Sequence, residues 1–72
     1  MKKREIGSRS RANSYIITTN NITIYIEESY EQLVKKMNSK EERIRVKVTI
    51  GYSQTDIMSF NKKEILRYGE KN

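Results

Sequence analysis

Ser14–Ile26 reads SYIITTNNITIYI, two β-rich runs on either side of Asn20-Asn21. Asparagine tolerates the positive φ that a tight turn requires, so the pair marks the loop of a β-hairpin. With Asn20 and Asn21 as a two-residue loop, Thr19 faces Ile22, Ile17 faces Ile24 and Tyr15 faces Ile26. Opposed residues point to the same side of a sheet. Tyr15, Ile17, Ile22, Ile24 and Ile26 are therefore expected to form one apolar face, and Ser14, Ile16, Thr18, Thr23, Tyr25 and Glu27 the other.

The segment that follows, ESYEQLVKKMNSK (28–40), changes period. Tyr30, Leu33, Val34 and Met37 are spaced as the apolar stripe of a helix. Ser29 with Gln32 three residues on is a capping box. Glu27, Glu28 and Glu31 gather at the start and Lys35, Lys36 and Lys40 at the end, as the helix dipole favours. RIRVKVTI (43–50) then alternates as a strand, with Ile44, Val46, Val48 and Ile50 on one side and Arg43, Arg45, Lys47 and Thr49 on the other. Gly51 and Ser53 mark a turn, and DIMSF (56–60) reads as the partner strand. For the last segment the strand ILRYGE after an NKKE turn is preferred. The other reading is a short helix over 62–68, capped by Asn61 and Glu64 and stopped by Gly69.

The stretch IITTNNITIYIEESYEQLVKKM (16–37) resembles a module of short flagellar-operon proteins and of phage proteins, in which a hairpin strand ending in Glu-Ser enters a short helix. SFNKKEILRYGE (59–70) is similar to their strand–turn–strand piece, which there precedes the hairpin. The order differs, and the resemblance carries no functional residue across.

The 72 residues allow one domain with a modest core. Fifteen Lys and Arg stand against nine Asp and Glu, a net charge of +6. The excess is uneven. Residues 1–13 hold five basic residues against one acidic, a net +4, and the remainder is only +2. Beyond Met1 this first segment has one large apolar residue, Ile6, and is expected to be a flexible basic arm ahead of a single domain at 14–72. Cysteine and histidine are both absent. Their absence excludes disulfides, thiolate chemistry and the commonest general base and metal ligand. No signal peptide or membrane helix is apparent, and a soluble, cytoplasmic chain is the plain reading. Usage rich in Lys, Ile, Asn and Tyr suggests an AT-rich genome, such as that of a low-GC bacterium, phage or plasmid.

The expected fold is α+β: β-β-α-β-β with a further strand, one helix packed on one face of an antiparallel sheet. The expected core is Ile17, Ile22, Ile24, Ile26, Leu33, Val34, Met37, Ile44, Val46, Val48, Ile50 and Phe60. A homodimer or a bound partner is one means of covering the second sheet face.

For function, the only carboxylate cluster, Glu27, Glu28 and Glu31, is accounted for by the helix start. No glycine-rich phosphate loop exists, and the serines have no histidine to activate them. The expectation is a non-enzymatic protein without cofactor or metal. Two positive features remain. One is the arm, Lys2, Lys3, Arg4, Arg9 and Arg11. The other is the stripe Arg43, Arg45 and Lys47, with Tyr25 expected on the same surface. Cations interleaved with an aromatic ring suit DNA or RNA, phosphates meeting the charges and bases the ring. The alternative partner is a protein. A phage- or plasmid-type regulator or inhibitor would dock the same charges on an acidic surface of a host or defence complex, or extend its sheet.

Overall fold

A computed structural model gives the fold of residues 4–71. Six strands and one helix follow one another: β1 (Arg4–Ile6), β2 (Ser14–Thr18), β3 (Ile22–Ile26), α1 (Tyr30–Met37), β4 (Arg43–Ile50), β5 (Gln54–Asn61) and β6 (Ile65–Glu70). The class is α+β. The strands do not form one antiparallel sheet. They divide into a four-stranded sheet, ordered β1-β3-β2-β6, and a two-stranded ribbon, β4-β5. The sheet is mixed, because β1 runs parallel to β3.

The sheet makes one layer; the ribbon and α1 make the other. Between them lie Ile16, Ile24 and Ile26 from the sheet, Leu33 from α1, and Ile44, Val46 and Val48 from β4, all nearly or fully buried. Each such side chain contributes about 2 kcal/mol by leaving water. Met37, Met58, Phe60 and Tyr68 pack around the margin. No helix among the described residues is long and apolar enough to cross a membrane.

The hairpin forms where expected but in a different register. Ile16 pairs with Ile24 and Tyr15 with Tyr25, one residue away from a two-residue loop. The loop is Thr19-Asn20-Asn21, with Asn21 in the left-handed region at φ 62°. The Asn21 amide donates to the Thr18 carbonyl at 2.9 Å, and the Ile22 amide to Thr18 Oγ1 at 3.2 Å. A one-residue shift turns every side chain of one strand over. Ile16 therefore enters the core, while Ile17 and Tyr15 face outward, half-buried. The shift also buries Ser14 and Thr18, and both hydroxyls find partners. Ser14 Oγ donates to the Glu28 carbonyl at 2.7 Å, and Thr18 Oγ1 accepts the Ile22 amide. Of the other expected core positions, Val34 is half-buried and Ile50 is 40 % exposed.

The segment expected to be a flexible arm holds secondary structure from Arg4 onward. β1 lies on the edge of β3, Arg9–Arg11 form a single 3-10 turn, and Ala12 is buried. Long-range contacts, invisible in local composition, supply the stabilisation. Ile6 packs beside the core, and the Ser8 amide donates to the Thr49 carbonyl at 2.7 Å. Between them Gly7 adopts φ 95°, where a Cβ would sit 2.6 Å from Val48 and 2.7 Å from the Tyr25 carbonyl. Only glycine makes this crossing from the sheet to β4. Lys2 and Lys3 lie outside the described residues.

The last segment combines both expected readings. Asn61 and Glu64 form a reciprocal cap, but around one 3-10 turn, Lys62–Glu64. The chain then continues as β6, antiparallel to β2.

Candidate nucleic-acid interface

The alternation of RIRVKVTI sends Ile44, Val46 and Val48 into the core, so Arg43, Arg45 and Lys47 project from the opposite side and are exposed. Their neighbours across β5 are Asn61, Ser59 and Ile57. Arg43 Nε donates to Ser59 Oγ at 3.2 Å. Among the described residues the one ion pair is Lys36–Glu28. Arg43, Arg45 and Lys47 therefore have, among the described residues, no carboxylate at ion-pair distance.

A cleft of about 650 Å³ runs between the last turn of α1 and β4, lined by Lys35, Lys36, Arg43 and Arg45, by the acidic Glu41, and by Ser39, Ile44 and Ser59. Three features of sequence build it. The capping box of Ser29 and Gln32 starts α1 where expected, and the final turn carries Lys35 and Lys36. Lys36 Nζ donates to the Arg45 carbonyl at 2.6 Å and to Glu28, drawing the helix against β4. Lys62 Nζ reaches the Ser39 carbonyl at 2.5 Å, tying the helix end to the chain after β5. Lysines at the helix C-terminus offset the negative end of its dipole, which would otherwise repel an anion.

The carboxylates at the start of α1 serve the fold. Glu28 Oε1 accepts the Lys47 amide at 2.8 Å, and the Glu27 amide donates to the Lys47 carbonyl at 2.9 Å. Glu27 also accepts from Thr49 and, at 3.2 Å, from Thr55. These bonds fasten the edge of β4 that β5 leaves free. Among the described residues no three His, Cys, Asp or Glu side chains gather as a metal site would require.

Tyr25 does not share the surface of the stripe. It stands on the outer face of the four-stranded sheet, only 8 % exposed, and donates its hydroxyl to Glu5 Oε2 at 3.0 Å. Burial first, and the Glu5 carboxylate second, raise its phenol above the ordinary value of 10.0. Arg9 lies over its ring, 6.0 Å from the centroid. So Arg9 and Tyr25 belong to one layer, and Arg43, Arg45 and Lys47 to the other. Arg4 and Arg11 are exposed on the N-terminal segment.

The ribbon carries one exposed aromatic residue, Tyr52. It occupies the Gly51-Tyr52-Ser53 turn at the tip of the ribbon and is fully exposed. Its signal in the sequence is a tyrosine in a turn, where no strand face can bury it. Lys35 is the other member that periodicity alone does not point to, because its place beside β4 depends on tertiary packing. No family model, curated protein or solved structure matches the chain at a significant level.

Proposed function

We propose that this is a non-enzymatic nucleic-acid-binding protein that engages its partner through the outer face of the β4–β5 ribbon. The observation that carries this reading is the row Arg43, Arg45 and Lys47, without acidic partners among the described residues, on a ribbon tipped by the exposed ring of Tyr52. Alternate residues of a strand stand about 6.8 Å apart. A nucleic-acid strand carries its phosphate charges at a similarly regular spacing. The cations can thus follow a phosphate chain without strain. A two-stranded ribbon also fits the major groove of duplex DNA. Tyr52 offers a face for stacking on an unpaired base. The Lys35–Arg45 cleft, where four basic residues outnumber Glu41, extends the positive surface sideways.

Fluorescence anisotropy with labelled single-stranded and duplex oligonucleotides, across a salt series, tests the reading. Binding should weaken steeply with salt as counterions are released. The triple variant R43Q/R45Q/K47Q should reduce the slope of log K against log salt by about 2 to 3 while leaving the melting temperature unchanged. No retention of either oligonucleotide at low salt would sink the proposal.

The rival reading is a protein-binding regulator that extends a partner's sheet along β5, an edge strand carrying Ile57 at 55 % exposure. Against it, Asp56 Oδ1 already accepts the Ile57 amide at 2.9 Å, which blunts the edge as a template. Capture of one stoichiometric protein from a nuclease-treated lysate, lost on I57K substitution, would favour this rival.

A further inference from the structure

The outer face of the four-stranded sheet carries a second cleft, of about 350 Å³, lined by Glu5, Arg9, Tyr15, Ile17, Thr23 and Tyr25. The register brings Tyr15 opposite Tyr25, Ile17 opposite Thr23, and Glu5 beside Thr23, all on the side away from the core. The volume falls at the small end of the range for small-molecule sites, about 300–1,000 Å³.

Three features make this cleft more than a solvated sheet face. Glu5 and Arg9 both border it, yet they do not pair with each other. Glu5 holds the Tyr25 hydroxyl through Oε2, which leaves Oε1 and further lone pairs to accept. Arg9 lies over the Tyr25 ring with its N–H donors uncommitted among the described hydrogen bonds. Tyr15 is held in place, because its ring crosses Gly69 so closely that a Cβ there would meet the phenol oxygen at 2.7 Å. The cleft thus offers aromatic and aliphatic walls, with an acceptor and a cation as separate anchors.

We propose that this cleft binds a guanine nucleotide, its base set against Tyr15 and Ile17, its donor edge on Glu5 and its phosphate on Arg9. A carboxylate presents two acceptors side by side. Guanine alone among the four common bases has two neighbouring donors, N1–H and the N2 amino group, on one edge. Adenine and cytosine set a single amino group beside an acceptor, and uracil flanks its one N–H with two carbonyls that a carboxylate repels. A planar base suits the tyrosine walls, and a guanidinium suits a phosphate. The proposal stands apart from the ribbon, which lies in the other layer.

Calorimetric titration of the full chain with guanosine, adenosine, cytidine and uridine 5′-monophosphates, and with guanosine, tests it. The guanine nucleotide should bind at least tenfold more tightly than the other three. E5Q retains an acceptor for Tyr25 but replaces one carboxylate oxygen with a donor, and should abolish that preference. R9A should weaken the nucleotide about tenfold and leave guanosine unchanged. T23R fills the cleft from a half-exposed position and should block all binding, with circular dichroism confirming that each variant is folded. The preference for guanine among four ligands with the same phosphate separates this site from the ribbon, whose cations contact phosphate alone. Equal binding of all four nucleotides, a preference that survives E5Q, or no heat of binding at millimolar ligand would overturn the assignment.

Discussion

Glu28 accepts the main-chain amide of Lys47 on one carboxylate oxygen and reaches Lys36 with the other. One side chain thus joins the end of the sheet, the helix and the open edge of the ribbon. Removing it with Glu28→Ala leaves a strand amide without its acceptor, and should cost about 1–3 kcal/mol in urea denaturation. Lys36→Ala removes only the part-exposed ion pair and its bond to Arg45, and should cost less, about 0.5–1 kcal/mol. Equal costs would show that the amide bond contributes nothing of its own.

Gly69→Ala should destabilise by about 1–3 kcal/mol, because the added methyl overlaps the Tyr15 phenol and a packed ring must move. Tyr15→Ala removes the obstacle. In a double-mutant cycle the pair should therefore be clearly less destabilising than the sum of its parts. Additive effects would mean that the ring swings aside freely.

At the hairpin loop, Asn21→Gly should be neutral within a few tenths of a kcal/mol, since φ 62° suits glycine. Asn21→Val forces a β-branched residue into the left-handed region and should cost about 1–2 kcal/mol. If valine proves harmless, the three-residue loop and its register are wrong.

Alkaline unfolding should involve Tyr25. Its raised pKa means that folding favours the protonated phenol. That contribution is complete below the ordinary value of 10.0, where folded and unfolded chains both hold the proton, and is lost as pH rises through the raised value. Urea midpoints followed from about pH 9 to about pH 11 should fall more steeply for the native chain than for Tyr25→Phe, which has no phenol to ionise. Parallel curves would remove Tyr25 from the account.

Features set within a few residues were legible in the sequence. The helix and its Ser29–Gln32 cap, the alternation of β4 and the Asn61–Glu64 cap all come from short-range spacing. The hairpin register was not legible, because β2 offers Tyr15 and Ile17 to one side and Ile16 to the other, a near tie in apolar content. The left-handed Asn21 and the hydrogen bonds of Ser14 and Thr18 decide it. β1 was invisible for a related reason. Arg4-Glu5-Ile6 has little to bury by itself, and its order depends on β3, Tyr25 and the Ser8–Thr49 bond. The candidate site divides along the same line. Arg43, Arg45 and Lys47 follow from period-two spacing, whereas Tyr25 was placed on the right strand but in the wrong company.

The position of β6 has a consequence for how the chain assembles. β2 is an inner strand, flanked by β3 from its own hairpin and by β6, which comes last among the strands. Until Ile65–Glu70 emerge from the ribosome, one side of β2 has no neighbour, and its unpaired amides and carbonyls can recruit a stray strand from another nascent chain. Pairing elements so distant in sequence also slows the search for the native topology. Recombinant forms cut before Ile65 should therefore aggregate during synthesis, whereas cuts after Glu70 should fold.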